Sequence, residues 1–171
     1  MMEQFDVLDK NGNPTGMTAD KGASLAHGQY YLGAHAYIYN PQNEFLLQRR
    51  ALHKKLLPGA WDIHMGHVAA GETSKSCIIR EIGEEIGLSF PYDNIRFIGR
   101  IVWEREQHMV DIYFLQVDFK LDELELDREE VIGVKAVSAV DMLAVLSSAH
   151  FRPLDYRQLV SEEIARLIDF A

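Results

Sequence analysis

The strongest chemical signal in the sequence is a group of three carboxylates, Glu81, Glu84 and Glu85, directly preceded by Arg80. On a helix these carboxylates lie on one side, and like charges at this spacing repel one another. A divalent cation such as Mg²⁺ or Mn²⁺ removes the repulsion, because such ions favour carboxylate oxygens and keep water ligands that a phosphate can displace. An arginine holds a carboxylate in a fixed orientation. The pattern therefore indicates a metal site for phosphate chemistry, and its plainer interpretation is a solvated acidic helix face.

The helix that must carry these residues is predicted over about 73–87. Ile78, Ile82 and Ile86 recur at intervals of four residues and form an apolar stripe that is separate from the carboxylates. Gly87 follows the stripe and is the expected C-cap. The spacing thus predicts an amphipathic helix with its isoleucines in the core.

Strands and helices alternate along the rest of the chain. The Asn-Gly-Asn-Pro sequence predicts a turn between two short N-terminal strands within 5–16. Further strands are expected over 30–39, 44–49, 95–103, 110–117 and 131–137, a loop over 56–72, and two C-terminal helices over 139–148 and 156–169. This alternation predicts an α/β or α+β fold.

Composition limits the classes of function. The chain has 171 residues, which favours one domain. Its 17 Lys and Arg against 26 Asp and Glu give a net charge of −9, which is unfavourable for binding a nucleic-acid polymer. Cys77 is the only cysteine, so an intrachain disulfide is excluded. No signal-peptide pattern and no run of 18 apolar residues occurs, so we expect a cytoplasmic protein with no membrane segment.

One sequence motif surrounds the carboxylates. From Gly66 to Leu88 the chain reads G-HVAAG-E-TSKSCII-R-E-I-G-E-E-I-G-L, and it has every fixed position of the Nudix box. The chain therefore resembles the Nudix hydrolase superfamily. The resemblance implies one domain over residues 1–171 with an α/β/α sandwich and a mixed β-sheet. It also implies that Gly66 and Gly87 lie where a side chain would collide or where φ is unusual.

The resemblance further implies metal-dependent hydrolysis of a phosphoanhydride bond. The substrate would be a nucleoside diphosphate linked to a second group, X, or a related organic diphosphate, and the ion would be Mg²⁺ or Mn²⁺. Arg80 would orient Glu81, which acts as a ligand or as the general base, and Glu84 and Glu85 would bind metal. Glu72 would support the loop, through a further metal ion or through Arg80.

Residues outside the box leave the general base open. Some Nudix enzymes take this base from another loop, and Glu104, Glu106 and His108 are the candidates of that kind. His64 and His67 flank the box glycine. We interpret His67 as a loop histidine, with substrate contact as the alternative.

The sequence before the box narrows the resemblance. The stretch YIYNPQNEFLLQRRALHKKLLPGAWD resembles the branch that contains the type I isopentenyl-diphosphate isomerases and their hydrolase relatives. In that branch the basic element lies near the diphosphate, which implies this role for Arg50 and Lys54. The isomerases need a cysteine directly before the box glycine and histidines for their metal, whereas this chain has Met65 and Tyr31 there. Cys77 lies within the predicted helix and is expected in the core. Hydrolysis is therefore favoured.

Two other functions stay open from the sequence. They are isomerase activity on isopentenyl diphosphate and a non-catalytic module that binds a nucleotide. The complete set of box carboxylates favours an enzyme over a binding module. We expect a small-molecule diphosphate as the partner, while X is not readable from the sequence. The strand-rich N-terminal arm permits a homodimer.

Overall fold

The computed structural model describes residues 3–149 and 151–169, which contain nine strands, three α-helices and a short 3-10 helix at Tyr92–Asn94. The strands are Gln4–Leu8 (β1), Pro14–Asp20 (β2), Tyr31–Tyr39 (β3), Glu44–Arg50 (β4), Trp61–Asp62 (β5), His64–His67 (β6), Ile95–Trp103 (β7), His108–Gln116 (β8) and Val131–Ser138 (β9). The helices are Ser74–Ile86 (α1), Ala139–Ser148 (α2) and Leu154–Asp169 (α3).

The main sheet is mixed. Its strand order is β5-β4-β3-β8-β7, with β6 paired to β3 and β9 paired to β4. The pairing of β3 with β8 is parallel, and the other pairings in this sheet are antiparallel. A separate hairpin of β1 and β2 is linked to β3 by a bridge between Leu8 and Tyr30.

Helices cover both faces of this sheet. On one face, α1 buries Cys77, Ile78, Ile82 and Ile86 against alanines of β3 and leucines of β4 and β8. On the other face, α2 and α3 pack on a second cluster that includes Tyr37, with Met142 from α2 and Val160 from α3. The predicted α/β/α sandwich with a mixed sheet is therefore confirmed. Within the described ranges, no helix has both the length and the apolar character needed to cross a membrane.

The predicted elements are found to within two residues, except for β2, which ends four residues beyond the predicted range of 5–16, and for one longer segment. The prediction of a loop over 56–72 was wrong, because this segment contains β5 and β6. These two strands have two and four residues and form by pairing with β4 and β3. Strands this short carry little local signal and are defined by their partners. The difference matters, because β6 contains the box glycine Gly66.

Candidate active site

The box helix α1 is defined at both ends by local contacts. Thr73 is its N-cap: the side chain accepts a hydrogen bond from the Ser76 backbone N–H, and the Ser76 hydroxyl accepts one from the Thr73 N–H. Gly87 ends the helix with a φ of 66° and donates its N–H to the Gly83 carbonyl. A Cβ on Gly87 would also lie 2.9 Å from the Cβ of Glu125. Gly87 thus meets both expectations, an unusual φ and a crowded backbone.

The three box carboxylates differ in their exposure to water. The exposed fraction of the side chain falls from 62% at Glu84 through 20% at Glu81 to 7% at Glu85. The prediction that all three lie on a face apart from the isoleucine stripe is therefore wrong for Glu85. This residue borders Ile82 and Ile86 and is buried with them. The cluster extends from solvent into the core.

Arg80 joins three carboxylates. Its Nε and Nη2 donate to the two oxygens of Glu72 at 3.1 Å each, which gives a bidentate pair. Its Nη1 donates to Glu81 at 2.9 Å and to Glu84 at 3.0 Å. The hydrogen bond to Glu72 is the main cause that raises the pKa of Arg80 above its usual value. Arg80 therefore contacts Glu81, the residue that the resemblance expects it to orient, and links Glu72 to the helix.

Gly66 leaves the space that the Glu81 side chain occupies. A Cβ at this position would lie 2.4 Å from Glu81 Cγ, 2.7 Å from Cδ and 2.8 Å from Oε1. Any other residue at 66 would therefore overlap the carboxylate or push it away. The absence of a side chain at Gly66 therefore makes room for the side chain of Glu81.

The carboxyl group of Glu81 has a perturbed pKa. Burial raises the pKa to about 7, Arg80 opposes this shift, and the charges of Glu85 and Glu84 add to it. At neutral pH the group is therefore near its midpoint and can both accept and release a proton. A carboxyl group poised in this way is typical of a catalytic acid or base.

Alternate residues of β6 face the carboxylates of α1. Gly66 adjoins Glu81, and two residues earlier His64 lies against Glu85, with 3.2 Å between His64 Nδ1 and Glu85 Oε2. His64 is fully buried. This contact was not predicted from the sequence, because His64 falls in the segment that was predicted to be a loop. The two-residue interval between His64 and Gly66 places both on one face once pairing with β3 has made the segment a strand.

The carboxylates fit a divalent ion by their chemistry, although they do not enclose one. Within residues 3–149 and 151–169, no three or more His, Cys, Asp or Glu side chains are arranged as a metal-binding group. Glu72, Glu81 and Glu84 share Arg80, while Glu85 faces His64. The four carboxylates therefore carry more negative charge than Arg80 can neutralise. Their oxygens are the hard metal ligands that Mg²⁺ and Mn²⁺ prefer.

The predicted phosphate-binding residues have partners outside the box. Arg50 donates from Nε to the Leu56 carbonyl at 3.1 Å, and Lys54 forms an ion pair with Glu130. Among the described residues, neither side chain forms a hydrogen bond or ion pair with the box carboxylates. Their role toward a diphosphate stays a prediction.

Of the alternative bases, His108 contacts the residue that follows the box glycine. Its Nε2 is 3.3 Å from Nε2 of His67, the residue that follows Gly66. Although His67 as a residue is exposed, its ring lies 5.5 Å from that of Phe5 and 5.4 Å from that of His108. This packing desolvates the ring and, with the facing His108, lowers the pKa of His67 to about 4. Glu104 accepts a 2.5 Å hydrogen bond from the Tyr30 hydroxyl.

The positions that separate this chain from the isomerase pattern have other contacts. Met65 is partly buried and packs on the core beneath α2 and α3, and the Tyr31 hydroxyl donates to the Ala23 carbonyl at 2.9 Å. Cys77 is fully buried, which confirms its expected place in the core. Burial, followed by the charge of Glu72, raises the pKa of the Cys77 thiol to about 12.

Known proteins resemble the chain over most of its length. The NUDIX domain family matches residues 29–157. The Nudix hydrolase lmo0368 of Listeria monocytogenes is 32% identical over 171 residues, covering 99% of this chain and all of the relative. An isopentenyl-diphosphate Delta-isomerase of Citrobacter koseri is 30% identical over 157 residues, covering 86% of this chain and 83% of the relative.

A solved structure shows the same fold. The crystal structure of DR0079 from Deinococcus radiodurans superimposes with a TM-score of 0.71 at 19% sequence identity, covering 96% of this chain and 98% of that one. At this identity the likeness concerns the fold alone. The family match and the full-length relative carry the assignment, and they agree with the box, the Gly66–Glu81 contact and the Arg80 cluster. The chain belongs to the NUDIX domain family and is a Nudix hydrolase.

Proposed function

We propose that the chain uses Mg²⁺ or Mn²⁺ to hydrolyse a phosphoanhydride bond in a small organic diphosphate, such as a nucleoside diphosphate linked to a second group. The observation that carries the proposal is the Gly66–Glu81 contact, in which the backbone of β6 leaves room for one carboxylate with a pKa of about 7. Glu81, Glu84 and Glu85 would hold the ion, and Glu72 would lie at the edge of the site beside Arg80.

The chain's own residues would position the reactants and move the proton. When bound, the divalent ion supplies positive charge against the phosphates and acidifies a water molecule. Arg80 keeps Glu81 and Glu84 in fixed orientations, so little rearrangement is needed when substrate arrives. Glu81, where it does not serve as a ligand, would accept the proton of the attacking water at a carboxylate oxygen. Arg50 and Lys54 would bind the diphosphate after releasing their present partners.

The metal site is tested with a double substitution of two carboxylates. Glu84→Gln with Glu85→Gln keeps the side-chain volume but removes two negative charges, so Mn²⁺ affinity measured by titration calorimetry should fall at least tenfold. Phosphate release from a panel of diphosphates should fall with it, and a chelator should abolish release by the parent protein. The matched control, Glu123→Gln with Glu129→Gln, removes two exposed charges elsewhere and should change neither measurement. Unchanged Mn²⁺ binding in the first double variant would contradict the proposal.

Isomerisation is the second candidate, because a relative with that name is 30% identical to the chain. Met65 has no proton to donate to an alkene carbon, which favours hydrolysis. Isopentenyl diphosphate therefore belongs in the panel, with ¹⁸O-labelled water as the solvent. Hydrolysis places the label in a phosphate product, whereas formation of the isomer without label would support the second candidate. A cytoplasmic location and a homodimer stay predictions from the sequence.

A further inference from the structure

Glu85 is held by a different residue from the other box carboxylates. Arg80 binds Glu72, Glu81 and Glu84, whereas the Glu85 carboxylate lies against Nδ1 of His64 at 3.2 Å. In the described part of the chain, no other side chain or backbone N–H donates to this carboxylate. Glu85 and His64 are both buried, so water cannot freely replace the contact.

The surroundings of His64 identify which ring nitrogen carries the proton. An ionised carboxylate only accepts hydrogen bonds, so Nδ1 must be the donor toward Glu85. Nε2 is buried and has no partner among the described residues. A proton on Nε2 would therefore be a buried donor without an acceptor, which is costly. The arrangement fits a hydrogen on Nδ1 that is aimed at Glu85.

We propose that His64 is a positioning residue that fixes Glu85 in the orientation needed to bind the divalent ion. The inference rests on the proposed function, in which Glu85 is a metal ligand. Hydrogen bonds to ligating carboxylates orient them, and loss of such a bond typically lowers metal affinity by about 10–100-fold. His64 and Gly66 then act together from one face of β6: the glycine makes space for Glu81, and the histidine orients Glu85.

The geometry distinguishes between conservative substitutions. The side-chain nitrogen of asparagine can occupy the place of Nδ1, so His64→Asn can keep the hydrogen bond to Glu85. The amide of glutamine corresponds to Nε2, which points away from Glu85, and leucine has no donor at all. We therefore expect Mn²⁺ affinity, measured by titration calorimetry on folded protein, to stay within about threefold for His64→Asn. It should fall about 10–100-fold for His64→Gln and His64→Leu.

A double-mutant cycle separates positioning from a purely structural effect. If His64 acts through Glu85, His64→Leu should weaken Mn²⁺ binding in the parent protein but cause no further loss when Glu85 is already Gln. Met65→Leu is the matched control, since Met65 is the next residue of β6 and packs on the opposite core. It should leave Mn²⁺ affinity unchanged. Thermal unfolding in chelator shows how far each variant is destabilised independently of metal.

The possible outcomes are distinct. Equal Mn²⁺ affinity in the parent, the His64→Gln and the His64→Leu proteins would overturn the role of His64 while leaving the proposed function intact. Equal losses of Mn²⁺ affinity in the His64→Asn, His64→Gln and His64→Leu proteins would also overturn the role of His64. So would an undiminished loss of Mn²⁺ affinity when His64→Leu is added to Glu85→Gln. A parent protein that binds no Mn²⁺ would instead refute the metal site itself. If the His64→Leu protein does not fold, the Mn²⁺ affinities of the His64→Asn and His64→Gln proteins still test the role of His64.

Discussion

Substitution of Gly66 by alanine would test the central contact of the site. Gly66 does not have a positive φ, so alanine introduces no backbone strain. The new Cβ would lie 2.4 Å from Glu81 Cγ, whereas ordinary contacts begin near 3.4 Å. To restore an ordinary contact distance, the Glu81 side chain must move by about 1 Å. The overlapping atoms belong to a side chain that can swing, so the fold should persist.

The expected effect is large on catalysis and small on stability. A displacement of about 1 Å of a catalytic group can lower the rate by about 10²-fold. Overfilled sites cost about 1–3 kcal/mol of unfolding free energy, and a partly exposed glutamate that can move should place Gly66→Ala near the lower limit. The assay is phosphate release with saturating diphosphate and Mg²⁺, and thermal unfolding by circular dichroism follows stability.

Gly83→Ala is the matched control for this prediction. Gly83 lies within α1, and a Cβ there would have no neighbour within 4 Å. Alanine should therefore stabilise the helix by about 0.5–1 kcal/mol and leave activity unchanged. A Gly66→Ala protein that is folded and retains its kcat within about threefold would refute the steric function of Gly66.

Two further predictions concern charge. In chelator, ionisation of Glu81 should destabilise the fold, because its pKa rises from 4.5 unfolded to about 7 folded. The protonated Glu81 side chain stabilises the fold fully below about pH 4.5, and this stabilisation is lost as pH rises through 7. Over this pH range the Tm of the Glu81→Gln protein should therefore fall less than the Tm of the parent protein. Parallel Tm curves for the two proteins would contradict this prediction. Arg152 and Asp62 form a buried 2.5 Å ion pair, so Asp62→Asn should cost about 3–5 kcal/mol in urea unfolding. A loss below about 1 kcal/mol would show that Arg152 finds another partner.

The sequence allowed the helix of the site to be predicted because its signals are local. The interval of four residues between Ile78, Ile82 and Ile86 specifies the buried stripe, and Gly87 specifies the end. Arg80 also lies within one turn of Glu81 and Glu84, so their contact follows from helical spacing. These parts of the site needed no knowledge of the rest of the fold.

The contacts with β6 could not be predicted in the same way. His64 lies 21 positions before Glu85, and the two meet only because β6 pairs with β3 beneath α1. The segment is too short, and too poor in alternating apolar residues, to indicate a strand by itself. The same holds for Lys54, whose ion pair with Glu130 depends on the pairing of β4 with β9. Tertiary pairing, rather than local preference, decided these contacts.

The parallel pairing of β3 with β8 has a consequence for the order of folding. Tyr31 pairs with His108 and Tyr39 with Gln116, so the chain between the two strands, including the whole box, forms one long closed loop. Closing such a loop costs entropy before any of its contacts is gained, and folds that depend on distant pairings form slowly. The contacts between α1 and β6 close much shorter loops, because Glu81 lies 15 residues after Gly66 and Glu85 lies 21 residues after His64. By the same entropy argument, we expect the carboxylate cluster to acquire its geometry before β3 and β8 pair.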